Sequence, residues 1–285
     1  MSWQEIINSP FFWRALTIAM IIGFANGCLS CHVVLRKSSL VVGAYAHGTL
    51  PGIATAVLLG GVTMINVFVG AAASALLIGL GSVWLVRHSR VDHHSALALM
   101  WTAGAAIGLF IIDRTGATQE LEGWMFGYIL TISDQDLWTS FIVSSLTLII
   151  VVVLQRPLLL MHFEPDVAAS VGVPVKFLHY LLVTLFVLAL VSSLQAVGAI
   201  LATATLVLPA LTMTQVADSP RKVFWGGGLI GGGVAGLAIV LSHLISVRPG
   251  ALIVVLLALV FGMAVVFGPK YGILHRLRHG AHRHC

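Results

Sequence analysis

The sequence predicts an all-α polytopic membrane protein of about nine transmembrane helices, with the N-terminus outside and the C-terminus cytoplasmic. Three observations predict it. Hydrophobic residues fill 59% of the 285 positions and charged residues only 9%, whereas a soluble domain carries about a quarter charged residues. Nine windows hold the roughly 20 mainly apolar residues that a helix needs to cross about 30 Å of hydrocarbon. The charges lie between those windows, and they are unequally shared between the two sides.

The N-terminal "MSWQEIINSPFFWRAL" has acid before its apolar run and no small-residue cleavage site, so it reads as a first anchor helix and not a removed signal. The windows follow at about 11–34, 40–60, 63–86, 95–112, 137–154, 177–196, 198–216, 223–245 and 250–268. If "LRKSS" after the first window lies inside, alternation puts Arg36, Lys37, Arg87, Arg90, Arg156, Lys176, Arg221, Lys222, Lys270, Arg276, Arg278 and Arg283 inside as well. Only Arg14, Arg114 and Arg248 then lie outside. Twelve against three is a strong positive-inside bias. The net charge of +5 therefore belongs to the cytoplasmic face of a bilayer, and no nucleic acid is needed to explain it. No linker divides the chain, so residues 1–268 read as a single transmembrane domain, followed by a basic, His-rich cytoplasmic tail over 269–285.

Two connecting segments are long. "DRTGATQELEGWMFGYILTISDQD" (113–136) falls outside, and "QRPLLLMHFEPDVAASVGVPVK" (155–176) falls inside. In the second, Glu164 suits a helix cap, Pro165 a first helical position, and Asp166 the positive end of the dipole. Gly172 offers a stop and Pro174 follows it. That predicts about two turns of helix at the cytoplasmic surface, either a docking element or an ordinary amphipathic connector. "WGGGLIGGGVAG" (225–236) spaces small residues as close helix packing requires, with a moving hinge as the alternative.

Chemistry inside the membrane rests on few residues. Apart from Arg14 near an end, no Asp, Glu, Lys or Arg lies within a window, and such groups are the signature of proton relays and ion-coupled carriers. Their absence counts against a proton-driven pump, so energy is expected from elsewhere, and the short cytoplasmic helix suggests where. In "GAYAHGTLPG", Pro51 has no N–H, so the carbonyl of His47 loses its helical donor. Irregular backbone at membrane depth is tolerated where it lines a cavity or is buried in protein. A neutral imidazole beside it makes a polar spot suited to zinc and other transition metals; the alternative is a histidine bonding helices together. Pro209 does the same to the carbonyl of Thr205, and Thr203, Thr205 and Thr212 add hydroxyls, a pattern like the interrupted helices of transporters. His243, near the outer end of its window, is a second candidate metal contact or an interfacial residue.

"CLSCH" (28–32) formally matches a c-type haem motif. Its place in an apolar run instead favours helix packing for Cys28 and Cys31. The tail holds His275, His279, His282, His284 and Cys285, either a basic juxtamembrane segment or a metal-binding tract. His93 and His94 form a weaker pair of the same kind.

Taken together, these segments resemble the membrane subunit of the ABC importers for zinc, manganese and iron. The resemblance is carried by "VVLRKSSLVVGAYAHGTLPGIATA", "LEGWMFGYILTIS", "FEPDVAASVGVPV", "LQAVGAILATATLVLPALT" and "VRPGALIVVL", in that order. It implies a permease that is not itself an enzyme, in a bacterial plasma membrane. A second copy of the chain, two cytoplasmic ATP-binding subunits and an extracytoplasmic metal-binding protein would be its partners. ATP would be held by the partner subunit and no cofactor permanently by this one. His47 matches the family's metal-path histidine. The segment with Glu164, Pro165, Asp166, Ala169 and Gly172 matches the coupling helix. Three family acids are replaced, by Gly43, Tyr128 and Ser246. What remains is imidazole, hydroxyl and carbonyl, which favours zinc as the transported ion over manganese or iron. An ATPase-independent carrier or channel is the alternative function, and a haem or redox protein built on "CLSCH" a third.

Overall fold

Prolines set the rhythm of the chain. The computed structural model describes residues 10–36, 39–60, 64–115, 134–245, 247 and 249–268. Among them are thirteen helices and no strand. In chain order these are α1 (Pro10–Leu35), α2 (Ser39–His47), α3 (Leu50–Gly60), α4 (Met64–His88), α5 (His93–Thr115), α6 (Asp134–Val153), α7 (Gln155–Phe163), α8 (Pro165–Ser170), α9 (Val175–Val197), α10 (Ala199–Thr205), α11 (Leu208–Thr214), α12 (Pro220–Ile245) and α13 (Pro249–Phe267). Helices α2, α6, α8, α10 and α12 each end four residues before a proline: Pro51, Pro157, Pro174, Pro209 and Pro249. The missing N–H at each proline is the one that residue i−4 needs to stay helical.

Among the described residues, seven spans are long and apolar enough to cross a membrane: α1, the pair α2–α3 taken together, α4, α5, α9, α12 and α13. Helices α6 and α7 qualify only as a pair bent by 65°, which raises the number to eight. Seven or eight spans stand among the described residues where nine are expected, and the difference lies at 198–216. That window is not one helix but α10 and α11, because Pro209 interrupts it, and the apolar helical stretch is too short to qualify. The first part of the expected connecting segment 155–176 is helical as α7, and Pro157 explains the bend before it.

Contacts group the chain into two compact units, Met1–Lys37 with Ala204–Cys285, and Ser38–Thr203. In the first, α1 and α12 pack along a seam of glycines. A Cβ added at Gly27 would strike the main chain of Gly227, and one at Gly231 would strike the Gly23 carbonyl. Small residues allow helices in lipid to approach this closely. The packing reading of "WGGGLIGGGVAG" is the one observed. Cys28, Cys31 and His32 lie wholly buried in α1, and the Cys31 thiol points to the Pro220 carbonyl at 3.6 Å. Burial in a continuous helix leaves no loop for haem attachment.

In the second unit, α9 is buried along Leu182, Val183, Phe186 and Leu190. Tyr45 of α2 is also buried, with its ring against Gly79 of α4. Asp92 opens α5, its Oδ2 accepting the N–H groups of His94 and Ser95 at 3.0 and 3.1 Å. The Ser95 hydroxyl and those N–H groups hold its carboxyl below the usual range.

Candidate functional site

The break between α2 and α3 is the feature from which a site can be built. Helix α2 stops at His47, the chain turns through Gly48 and Thr49, and α3 starts at Leu50. The turn has its own hydrogen bonds. Gly48 N–H donates to the Ala44 carbonyl at 2.9 Å, and the Thr49 hydroxyl donates to the Ala46 carbonyl at 2.6 Å. From α4, the Ser74 hydroxyl donates to the Gly48 carbonyl at 2.8 Å and lies 3.3 Å from that of Thr49. A neighbouring helix thus satisfies a carbonyl that the break releases, as membrane-embedded backbone requires.

Glycines bring the neighbours close enough. Gly52 and Gly70 touch main chain to main chain across α3 and α4. A Cβ at Gly108 of α5 would lie 3.0 Å from the Pro51 nitrogen.

His47 itself is exposed. Its ring stacks on Trp101 of α5, with centroids 5.6 Å apart and planes 25° from parallel. Gly43, one turn earlier on the same face, has open space around it: an added Cβ would meet no atom within 4 Å. Packing does not demand glycine there. Trp101 was not foreseen from sequence, where nothing marks one tryptophan of seven as the partner of a histidine 54 residues away.

The other candidate, His243, lies half-buried in the last turn of α12, edge-on to Phe12 with centroids 5.4 Å apart. His47 and His243 belong to different units. Among the described residues no group of three or more His, Cys, Asp or Glu lies close enough to hold a metal. His93 and His94 meet edge-to-face at 6.2 Å, beside the cap of α5. Tyr128, Ser246 and the tail histidines His275, His279, His282 and His284 lie outside the described residues, as does Cys285.

The second break, between α10 and α11, is built differently. Asn26 of α1 donates to the Thr205 hydroxyl at 3.0 Å, and the Ala210 N–H donates to the Ser30 hydroxyl at 3.1 Å. Asn26, Ser30, Thr205 and Ala210 are all buried.

At α8 the capping pattern is observed with one change. Pro165 stands at the start and Asp166 in the first turn, but Glu164 makes no side-chain cap; its main-chain carbonyl accepts the Ala168 N–H at 2.9 Å. The helix ends in a left-handed Gly172 (φ +83°). The Val173 N–H reaches the Ala168 carbonyl at 2.9 Å and the Gly172 N–H the Ala169 carbonyl at 3.2 Å, the paired bonds of a Schellman stop. Glu164, Pro165, Asp166, Ala169 and Gly172 are all exposed. So are Phe163, Val167 and Val171, an apolar row at four-residue spacing that the sequence displays and that was not singled out.

Comparison with known proteins gives these features a setting. The model of the ABC 3 transport family matches residues 8–268. The manganese transport system membrane protein MntC of Halalkalibacterium halodurans is 31% identical over 278 residues, covering 97% of this chain and 94% of its own. The chelated iron transport system membrane protein YfeD of Yersinia pestis is 33% identical over 264 residues, 93% of this chain and 88% of its own. Among solved structures, PsaBC from Streptococcus pneumoniae in complex with Fab superposes with a TM-score of 0.83 at 28% identity, covering 97% of this chain and all of that one. The chain belongs to the ABC 3 transport family and is a multi-pass permease of the bacterial plasma membrane.

Proposed function

We propose that this chain is the permease of an ATP-driven importer, working as a pair of copies, that carries a divalent first-row transition metal into the cytoplasm past His47. The observation that carries the reading is an exposed imidazole at the broken end of a spanning helix, next to open space at Gly43. Imidazole takes zinc, iron, nickel and copper readily, and carboxylate suits manganese. One imidazole with no ligand cluster around it among the described residues fits a contact on a path, where an ion must leave as easily as it arrives.

Manganese and iron are the metals in the relatives' names, and kinship makes them the first choice of cargo. A second reading, zinc, is favoured by the glycine at 43 where a carboxylate has room. Arg156 and Lys176 flank the stretch that ends α7 and forms α8, and the positive-inside rule puts that stretch on the cytoplasmic side. The exposed row Phe163, Val167 and Val171 would then seat against an ATP-binding subunit, with Glu164, Pro165, Asp166, Ala169 and Gly172 shaping the element. An extracytoplasmic binding protein would deliver the ion.

The test is uptake of manganese, iron and zinc, each offered alone, by cells carrying the intact system. Replacing His47→Ala should lower uptake by roughly tenfold or more while the ATPase still co-purifies. Unchanged uptake excludes His47 from the path. Uptake by the permease alone in vesicles, without nucleotide, would support a carrier in place of an ATP-driven importer.

A further inference from the structure

A histidine at the exposed end of a helix turns about two side-chain bonds unless a neighbour restrains it. Two helices restrain this one. On the main-chain side, Ser74 of α4 holds the turn through the Gly48 carbonyl. On the side-chain side stands Trp101, stacked on the imidazole. Trp101 is 40% exposed and does not serve to fill a core. It shares a face of α5 with Gly104 and Gly108, at helical spacings of three and seven. Those glycines lie against Ile78 and the Pro51 main chain, so the close approach that brings the indole to His47 is built into α5.

A stacked ring covers the face of an imidazole and leaves its edge open. Both nitrogens lie on that edge, where a metal binds.

We propose that Trp101 is a positioning residue that holds the His47 imidazole edge-free for the passing ion. The proposal rests on the metal-path reading of His47. Trp101 touches no ion itself; it narrows the orientations in which His47 meets one. An aromatic side chain at 101 is therefore required, and an aliphatic one of comparable bulk does not replace it.

The experiment compares Trp101→Phe and Trp101→Leu in cells carrying the whole transport system, with permease in the membrane quantified for each variant. Initial uptake rates are measured against concentration for manganese and for zinc separately. Trp101→Leu should raise the half-saturating metal concentration roughly two- to tenfold, the range that loss of one aromatic pair allows. Trp101→Phe should stay close to the parent. In a His47→Ala background, Trp101→Leu should add nothing further, because the ring it orients is gone. Equal behaviour of the Phe and Leu variants overturns the proposal, and so does a Leu effect of the same size with and without His47. If His47→Ala transports like the parent, the metal-path reading falls and this inference with it. If His47→Ala is impaired while Phe and Leu act alike, only the role of Trp101 falls.

Discussion

The two proline breaks, at Pro51 and at Pro209, start from the same chemistry and finish in opposite surroundings. Each removes a helical donor, and in each a serine on another helix meets a main-chain group at the break. Ser74 donates to the Gly48 carbonyl, and Ser30 accepts the Ala210 N–H. Beyond that they part. The Pro209 break is surrounded by buried Asn26, Ser30 and Thr205, whereas the Pro51 break ends on exposed His47. A broken helix is thus not in itself a functional mark. It becomes one where a side chain that binds something stands uncovered at the end.

The comparison can be broken most severely by removing the close approach that holds the Pro51 break. Gly52→Leu would drive a side chain into the Gly70 main chain and should destabilise by more than about 4 kcal/mol, seen as loss of permease from the membrane. Wild-type amounts would show that the contact between α3 and α4 is not needed. The two serines give a middle-sized effect. Ser30→Ala strands a buried N–H and should lower stability by about 1–3 kcal/mol, read as a lower melting temperature in detergent with the half-saturating metal concentration unmoved. Ser74→Ala, which removes a half-buried hydroxyl, should lower it by about 1 kcal/mol and also shift metal uptake. If Ser30→Ala moves uptake and Ser74→Ala does not, the assignment of structural and functional breaks is reversed. The smallest effect is expected from Gly43→Ala, which fills open space in a helix and should stabilise by about 0.5–1 kcal/mol. A lower melting temperature would show that position 43 is crowded after all.

Much of this was legible in sequence because proline acts locally. The donor that Pro51 or Pro209 removes is four residues away, so the breaks at His47 and Thr205 can be read directly. The stop at Gly172 is legible for the same reason, since a left-handed residue needs no distant partner. Pro157 carried the same signal for the bend after Val153, and applying the rule there would have shown α7 as a helix of its own. The same rule at Pro209 gives the division of 198–216 into α10 and α11, as Pro51 divides α2 from α3. The pairing of His47 with Trp101, or of Asn26 with Thr205 across 179 positions, could not be read this way. Such contacts depend on which helices lie side by side. In lipid, apolar faces are alike in hydrophobicity, so pattern alone does not choose neighbours.

The glycine seam of α1 and α12 has a mechanical consequence. Where two backbones meet with no side chains between them, there are no rotamers to rearrange and no soft layer to absorb a small slip. Such a joint either stays shut or comes fully apart. Any motion that reaches the first unit must carry this pair as one stiff beam.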